Sequence, residues 1–163
     1  MRAIRLFIIT AVIFLYGCGF HLAGSLKLNP KVQPILLESN DAQQALTRQF
    51  YVRCHHYDIP LAQNQGEANS KVLFEQESVM QQALTVRSDG EIAEYELLYR
   101  LDYAIHLPPF DEPAVRNSIQ LRREYTDNPS QLLGKALERE MLIEDMRRDA
   151  INQILNALGT LAK

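Results

Sequence analysis

The stretch AEYELLYRLDYAIHL, Ala93 to Leu107, decides the fold. Its odd positions are Ala93, Tyr95, Leu97, Tyr99, Leu101, Tyr103, Ile105 and Leu107, all apolar or aromatic. The even positions carry Glu94, Glu96, Arg100, Asp102 and His106. Side chains on a strand point alternately to opposite faces, so a period of two sustained this long means a strand with one buried face and one facing solvent or a partner. At ~3.3 Å per residue it runs roughly 50 Å, long for a small domain. Such a strand belongs in the middle of a sheet. Upstream, Arg87-Ser88-Asp89-Gly90 signals a tight hairpin, because Asp-Gly readily takes the positive φ such turns require. The arm before it, Val72 to Val86, places Val72 and Phe74 on one face. Met80, Leu84 and Val86 suit another register, which a bulge would reconcile. Downstream, Pro108-Pro109 ends the long strand and Phe110 to Pro113 form a loop. Val115 to Thr126 then returns as a further strand with Ile119, Leu121 and Tyr125.

Helices flank this β region. Val32 to Leu37 is a short apolar first strand that Pro34 pushes to a sheet edge or delays. Ser39-Asn40-Asp41 offers N-caps. Ala42, Leu46, Phe50 and Cys54 then recur four apart, which predicts an amphipathic helix to about His55. Tyr57 to Ser70 reads as a connection with a brief extended piece at Ile59 to Ala62. Asn128-Pro129 opens the last helix, since Asn caps and Pro is favoured at the first helical position. Its expected core stripe is Leu132, Ala136, Ile143, Met146, Ala150, Ile154 and Ala157, widened by Leu133, Leu137, Ile151, Leu155 and Leu158. Gly159 is the expected stop. The order β-α-β-β-β-α implies a single α+β domain: a mostly antiparallel four-stranded sheet with two helices packed on one face.

Before the domain lies a leader. Arg2 and Arg5 precede the uncharged run Leu6 to Tyr16, which at that length is too short to span a membrane. Leu15-Tyr16-Gly17-Cys18 resembles the lipobox of bacterial lipoproteins. The division expected is 1–17 signal peptide of lipoprotein type, 18–31 lipidated tether and 32–163 the α+β domain. Cys18 is the lipidation site that resemblance implies. Two or more acyl chains anchor a protein stably, at roughly 0.8 kcal/mol per buried CH2. Gly19 stands where an Asp would resemble the inner-membrane retention signal, so the expected location is the periplasmic side of the cell outer membrane.

From Cys18 onward 146 residues remain, with 15 Lys and Arg against 20 Asp and Glu, a side-chain charge of −5. No bulk attraction to nucleic acid or an anionic membrane follows, and a polyanion must find local cations. The single further cysteine, Cys54, has no partner for an internal disulfide. Cys54-His55-His56 invites a metal reading, with His106 and His21 as possible further ligands. Adjacent helical residues do not share a face, however, and nothing in the spacing ties the set together. No cofactor, metal or catalytic motif is expected, and no enzyme. Arg87 at the hairpin and Lys135 early in the last helix stand out instead. Either they are ordinary surface cations, or they lie at one end of the strand-helix layer and pair with ligand phosphates or carboxylates.

Three segments carry a resemblance. Cys18-Gly19-Phe20-His21-Leu22 after the lipobox, Gly90-Glu91-Ile92-Ala93-Glu94-Tyr95, and Tyr125-Thr126-Asp127-Asn128-Pro129 ahead of a long acidic-rich helix together resemble the LptE family of lipopolysaccharide-assembly lipoproteins. Phe20 departs from it, standing where some members have Trp. The resemblance implies an outer-membrane lipoprotein that sits as a plug in the LptD β-barrel, assists its assembly and binds lipopolysaccharide. The partners implied are LptD, lipopolysaccharide and the membrane through the lipid anchor. The family's basic ligand-binding positions match Arg87 and Lys135. The rivals are a lipid-anchored adaptor of another envelope transport system and, third, a periplasmic lipoprotein enzyme.

Overall fold

The computed structural model describes residues 26, 28–126 and 132–161, with 41 and 132–135 as backbone only. A 3-10 turn at Pro30–Val32 leads to β1 (Ile35–Glu38), and a second at Asp41–Gln43 opens helix α1 (Gln44–His56). Three long strands follow: β2 (Ser70–Val86), β3 (Ile92–His106) and β4 (Pro113–Thr126). Helix α2 (Leu132–Leu161) closes the chain order. The sheet order is β1-β2-β3-β4, with β1 parallel to β2 and the other pairs antiparallel. The sheet is therefore mixed, because α1 returns the chain before β2 and a β-α-β connection makes neighbouring strands parallel. The long tyrosine-bearing strand is interior, as its pattern requires.

The odd face of β3 is the floor of the core. Leu97, Tyr99, Leu101, Tyr103 and Ile105 are buried beneath the helices, joined by Phe50 and Cys54 from α1 and by Met146, Ile151 and Leu155 from α2. Phe50 meets Phe74 edge to face at 5.7 Å between centroids. The even face is not uniformly wet. Ala104, His106 and Glu96 are buried on it. Glu96 accepts from Gln82 Nε2 at 2.7 Å and pairs with Arg122 at 2.9 Å.

Several boundaries move from their expected places, each for a local reason. Pro34 has no N–H to give, and β1 begins one residue after it on the sheet edge. The extended piece after α1 is real: Leu61 bridges Ile35, and Ile35 N–H donates to Pro60 O at 3.1 Å. In the turn before α1, Gln43 is buried while Ala42 is exposed, because Asn40 and Gln43 form a reciprocal capping box. The bulge in β2 exists, where pairing shifts between Phe74 and Gln76. It turns Glu77, Val79 and Gln81 toward the helices, opposite Leu101, Tyr99 and Leu97. Met80 is consequently exposed, and Leu84 and Val86, at further register shifts between Ala83 and Val86, are exposed as well, so the three form no second buried apolar face. In α2, Ala136 and Leu137 are exposed rather than part of the stripe. Gly159 does not stop α2, which continues to Leu161. A Cβ at Gly159 would sit 3.4 Å from Leu28 Cδ2, an ordinary van der Waals contact, so Gly159 packs beside the N-terminal segment as a helical residue. Asn128-Pro129, Cys18 and His21 lie outside the described residues.

Candidate functional site

The β2–β3 turn is built from its own backbone. Arg87 N–H donates to Glu91 O at 2.7 Å and Gly90 N–H to Arg87 O at 3.0 Å. Asp89 Oδ1 accepts from Glu91 N–H at 3.0 Å. Gly90 takes φ +89°, a conformation that strains any residue with a Cβ. The Arg87 guanidinium is thereby held at the tip of a long ribbon. It pairs with Glu91 at 3.4 Å, a contact more than half open to water on the glutamate side. Such a pair contributes little and yields readily to a stronger anion.

Helix α2 runs beside this ribbon. Arg139 Nε donates to Gln81 Oε1 at 3.0 Å, and Arg147 Nε to Glu77 Oε1 at 2.7 Å. Rising helix numbers thus descend β2, which puts the first turns of α2, including the backbone of Lys135, toward the hairpin end. The Lys135 side chain lies outside what is described.

The residues behind the metal reading lie on different faces of the fold. Cys54 is fully buried on the core face of α1, whereas His55 and His56 are exposed. His106 lies on the opposite face of the sheet, where both ring nitrogens lack a partner among the described residues. The Cys54 thiol is pushed up to about 12 by burial, so it stays protonated and is a poor ligand or nucleophile at neutral pH.

Sequence reading missed two features. The Arg147–Glu77 ion pair is nearly enclosed between α2 and β2, with side chains 14% and 10% exposed. Burial, and after it the neighbouring Glu77 carboxylate, hold the Tyr99 hydroxyl protonated well above its ordinary range. The second feature is a groove between α1 and α2, lined among others by Arg48, Arg53, His56 and Arg148. The available signal was that Gln44–His56 contains two Arg and two His and no acid, in a chain of net negative charge.

Residues 31–158 match the family described as LptE, lipopolysaccharide-assembly. The chain belongs to the LptE family. It is 29% identical over 154 residues to the LPS-assembly lipoprotein LptE of Pectobacterium atrosepticum, covering 93% of this chain and 82% of that one. To the LptE of Yersinia enterocolitica it is 28% identical over 158 residues, covering 96% and 75%. Among solved structures it resembles the rare lipoprotein B of Shewanella oneidensis, with TM-score 0.68, 28% identity, and 78% and 95% of the two chains covered. A lipoprotein B of Nitrosomonas europaea shares the fold, with TM-score 0.71, 23% identity, and 88% and 92% covered. LptE proteins take part in assembly and are not enzymes, which answers the catalytic alternative for this chain.

Proposed function

We propose that this LptE family member is an outer-membrane lipoprotein, anchored through an acylated Cys18 on the periplasmic side. In this reading it seats as a plug in the LptD β-barrel, assists assembly of that barrel and binds lipopolysaccharide for delivery to the cell surface. The observation that carries the proposal is the family match across residues 31–158, reinforced by relatives named as LPS-assembly lipoproteins. The geometry is in keeping with it. The domain offers long strands, a largely polar open sheet face and a cation-bearing hairpin tip. Arg87 and Lys135 are the proposed ligand contacts. Guanidinium binds phosphate through paired hydrogen bonds and ammonium as a point charge. The Arg87–Glu91 pair is solvated and 3.4 Å long, so by itself it opposes ligand capture only weakly.

The test is co-purification from solubilised outer membranes, with mass spectrometry of both the captured partner and the N-terminus. The expected result is a large β-barrel protein in the complex and a mature chain beginning at acylated Cys18. A free monomer would overturn the barrel reading, and an unmodified Cys18 thiol would overturn the anchor.

A further inference from the structure

We infer that the groove between α1 and α2 is a second binding site, distinct from the hairpin end, that takes a phosphorylated saccharide. The groove has a volume of about 360 Å3, within the ~300–1,000 Å3 of small-molecule sites. Arg48, Arg53 and Arg148 reach it from two helices, with Glu144 the one carboxylate lining it. One of the three guanidiniums is already fixed. Arg53 Nε donates to Asn152 Oδ1 at 2.8 Å and stacks 4.9 Å from the Tyr57 ring centroid. Arg148 pairs with Asp145, both half open to water, a contact that yields to a stronger anion. Arg48 has no hydrogen bond or ion pair among the described residues, leaving it able to close on a ligand. Guanidinium groups lining one groove from different elements favour a bidentate, multiply charged oxyanion such as phosphate.

The neutral lining residue narrows the class. Gln49 Oε1 is buried with no hydrogen-bond partner. An orphaned acceptor is costly, and bare phosphate brings it no strong donor. A sugar hydroxyl does once the Gln49 amide turns toward the groove, so one ligand carrying both phosphate and hydroxyls satisfies arginines and glutamine together. The groove is on the outer side of the helix pair. Its α2 residues 144–151 lie about 14–24 Å along the helix from position 135, at ~1.5 Å per residue. It is therefore not an extension of the Arg87 and Lys135 region.

The experiment is an NMR titration of isotopically labelled full-length chain in non-ionic detergent with glucose 1-phosphate, glucose and inorganic phosphate in parallel. The expected result is saturable shifts in amides 48–56 and 144–152 with glucose 1-phosphate, at least tenfold weaker saturation with inorganic phosphate, and none with glucose. R48A is exposed and partnerless, so it should leave the melting temperature unchanged while weakening the sugar phosphate several-fold. Equal affinity for inorganic phosphate would overturn the saccharide assignment. Absence of shifts in the groove, or an unaltered affinity in R48A, would overturn the site. Shifts at the hairpin alone would leave the proposed function standing and remove this inference.

Discussion

At the scale of single residues, neighbours in sequence have opposite fates. Leu101 is fully buried under the helices, and Arg100 is more than half exposed beside Asp102. Leu101→Ala should therefore cost about 2–5 kcal/mol through the cavity it leaves. Arg100→Ala should stay within about 0.5 kcal/mol, as at an ordinary surface site. Urea unfolding of the two variants checks the facing, and equal losses would refute it. Cys54 gives a pH signature. Its thiol is raised by burial from the ordinary 9.0 to about 12, so the folded state holds its proton where the unfolded chain gives it up. The contribution is fully present below pH 9 and is lost as pH rises from 9 toward 12. Stability of the wild type should fall over that window more steeply than stability of Cys54→Ala. Tyr99 adds an alkaline slope to both, so the difference between their denaturation midpoints isolates the thiol.

At the scale of elements, what could be read from sequence was what depends on neighbours close in the chain. The period of two from Ala93 to Leu107 gave the central strand and its buried face, and Asp89-Gly90 gave the turn. Both signals are complete within a few residues. Gly159 shows the limit: a stop and a helical glycine share one sequence signature, and here the helix runs on to Leu161 with Leu28, far away in the chain, packed beside it. The exposed Met80 has the same origin, because the bulge at Phe74–Gln76 fixes which parity faces the helices. Of the candidate site, Arg87 could be placed on its turn from sequence alone. The inter-helix groove could not, since its arginines come from segments nearly a hundred residues apart. The Arg147–Glu77 pair is likewise tertiary, and it fastens α2 to the bulged half of β2. Arg147→Ala strands an almost enclosed carboxylate and should approach the ~3–5 kcal/mol cost of breaking a buried pair. Glu77→Leu with Arg147→Met should recover most of that loss. A double variant as unstable as Arg147→Ala would show that the pair itself, not the orphaned charge, matters.

At the scale of the whole molecule, charge and shape set the terms for a ligand. From Cys18 onward the side-chain charge is −5, so an anionic glycolipid is repelled at long range and must be held by a few placed cations. Arg87 stands on an exposed turn at the tip of the β2–β3 ribbon, so it is removable without touching the core. Charge-assisted hydrogen bonds contribute roughly 1.5–3 kcal/mol each. Replacing Arg87 and Lys135 together with Glu should thus weaken lipopolysaccharide binding at least tenfold, since ~1.4 kcal/mol is one decade. The barrel partner should still co-purify, because Arg87 lies outside the buried core and the two cations are proposed to contact ligand and not the barrel. Both quantities are read on the same preparation, a lipopolysaccharide titration beside a pull-down. Unchanged binding would reduce the two residues to surface cations. Loss of ligand and barrel together would mean that the hairpin end is an assembly surface, with ligand capture lying elsewhere on the chain.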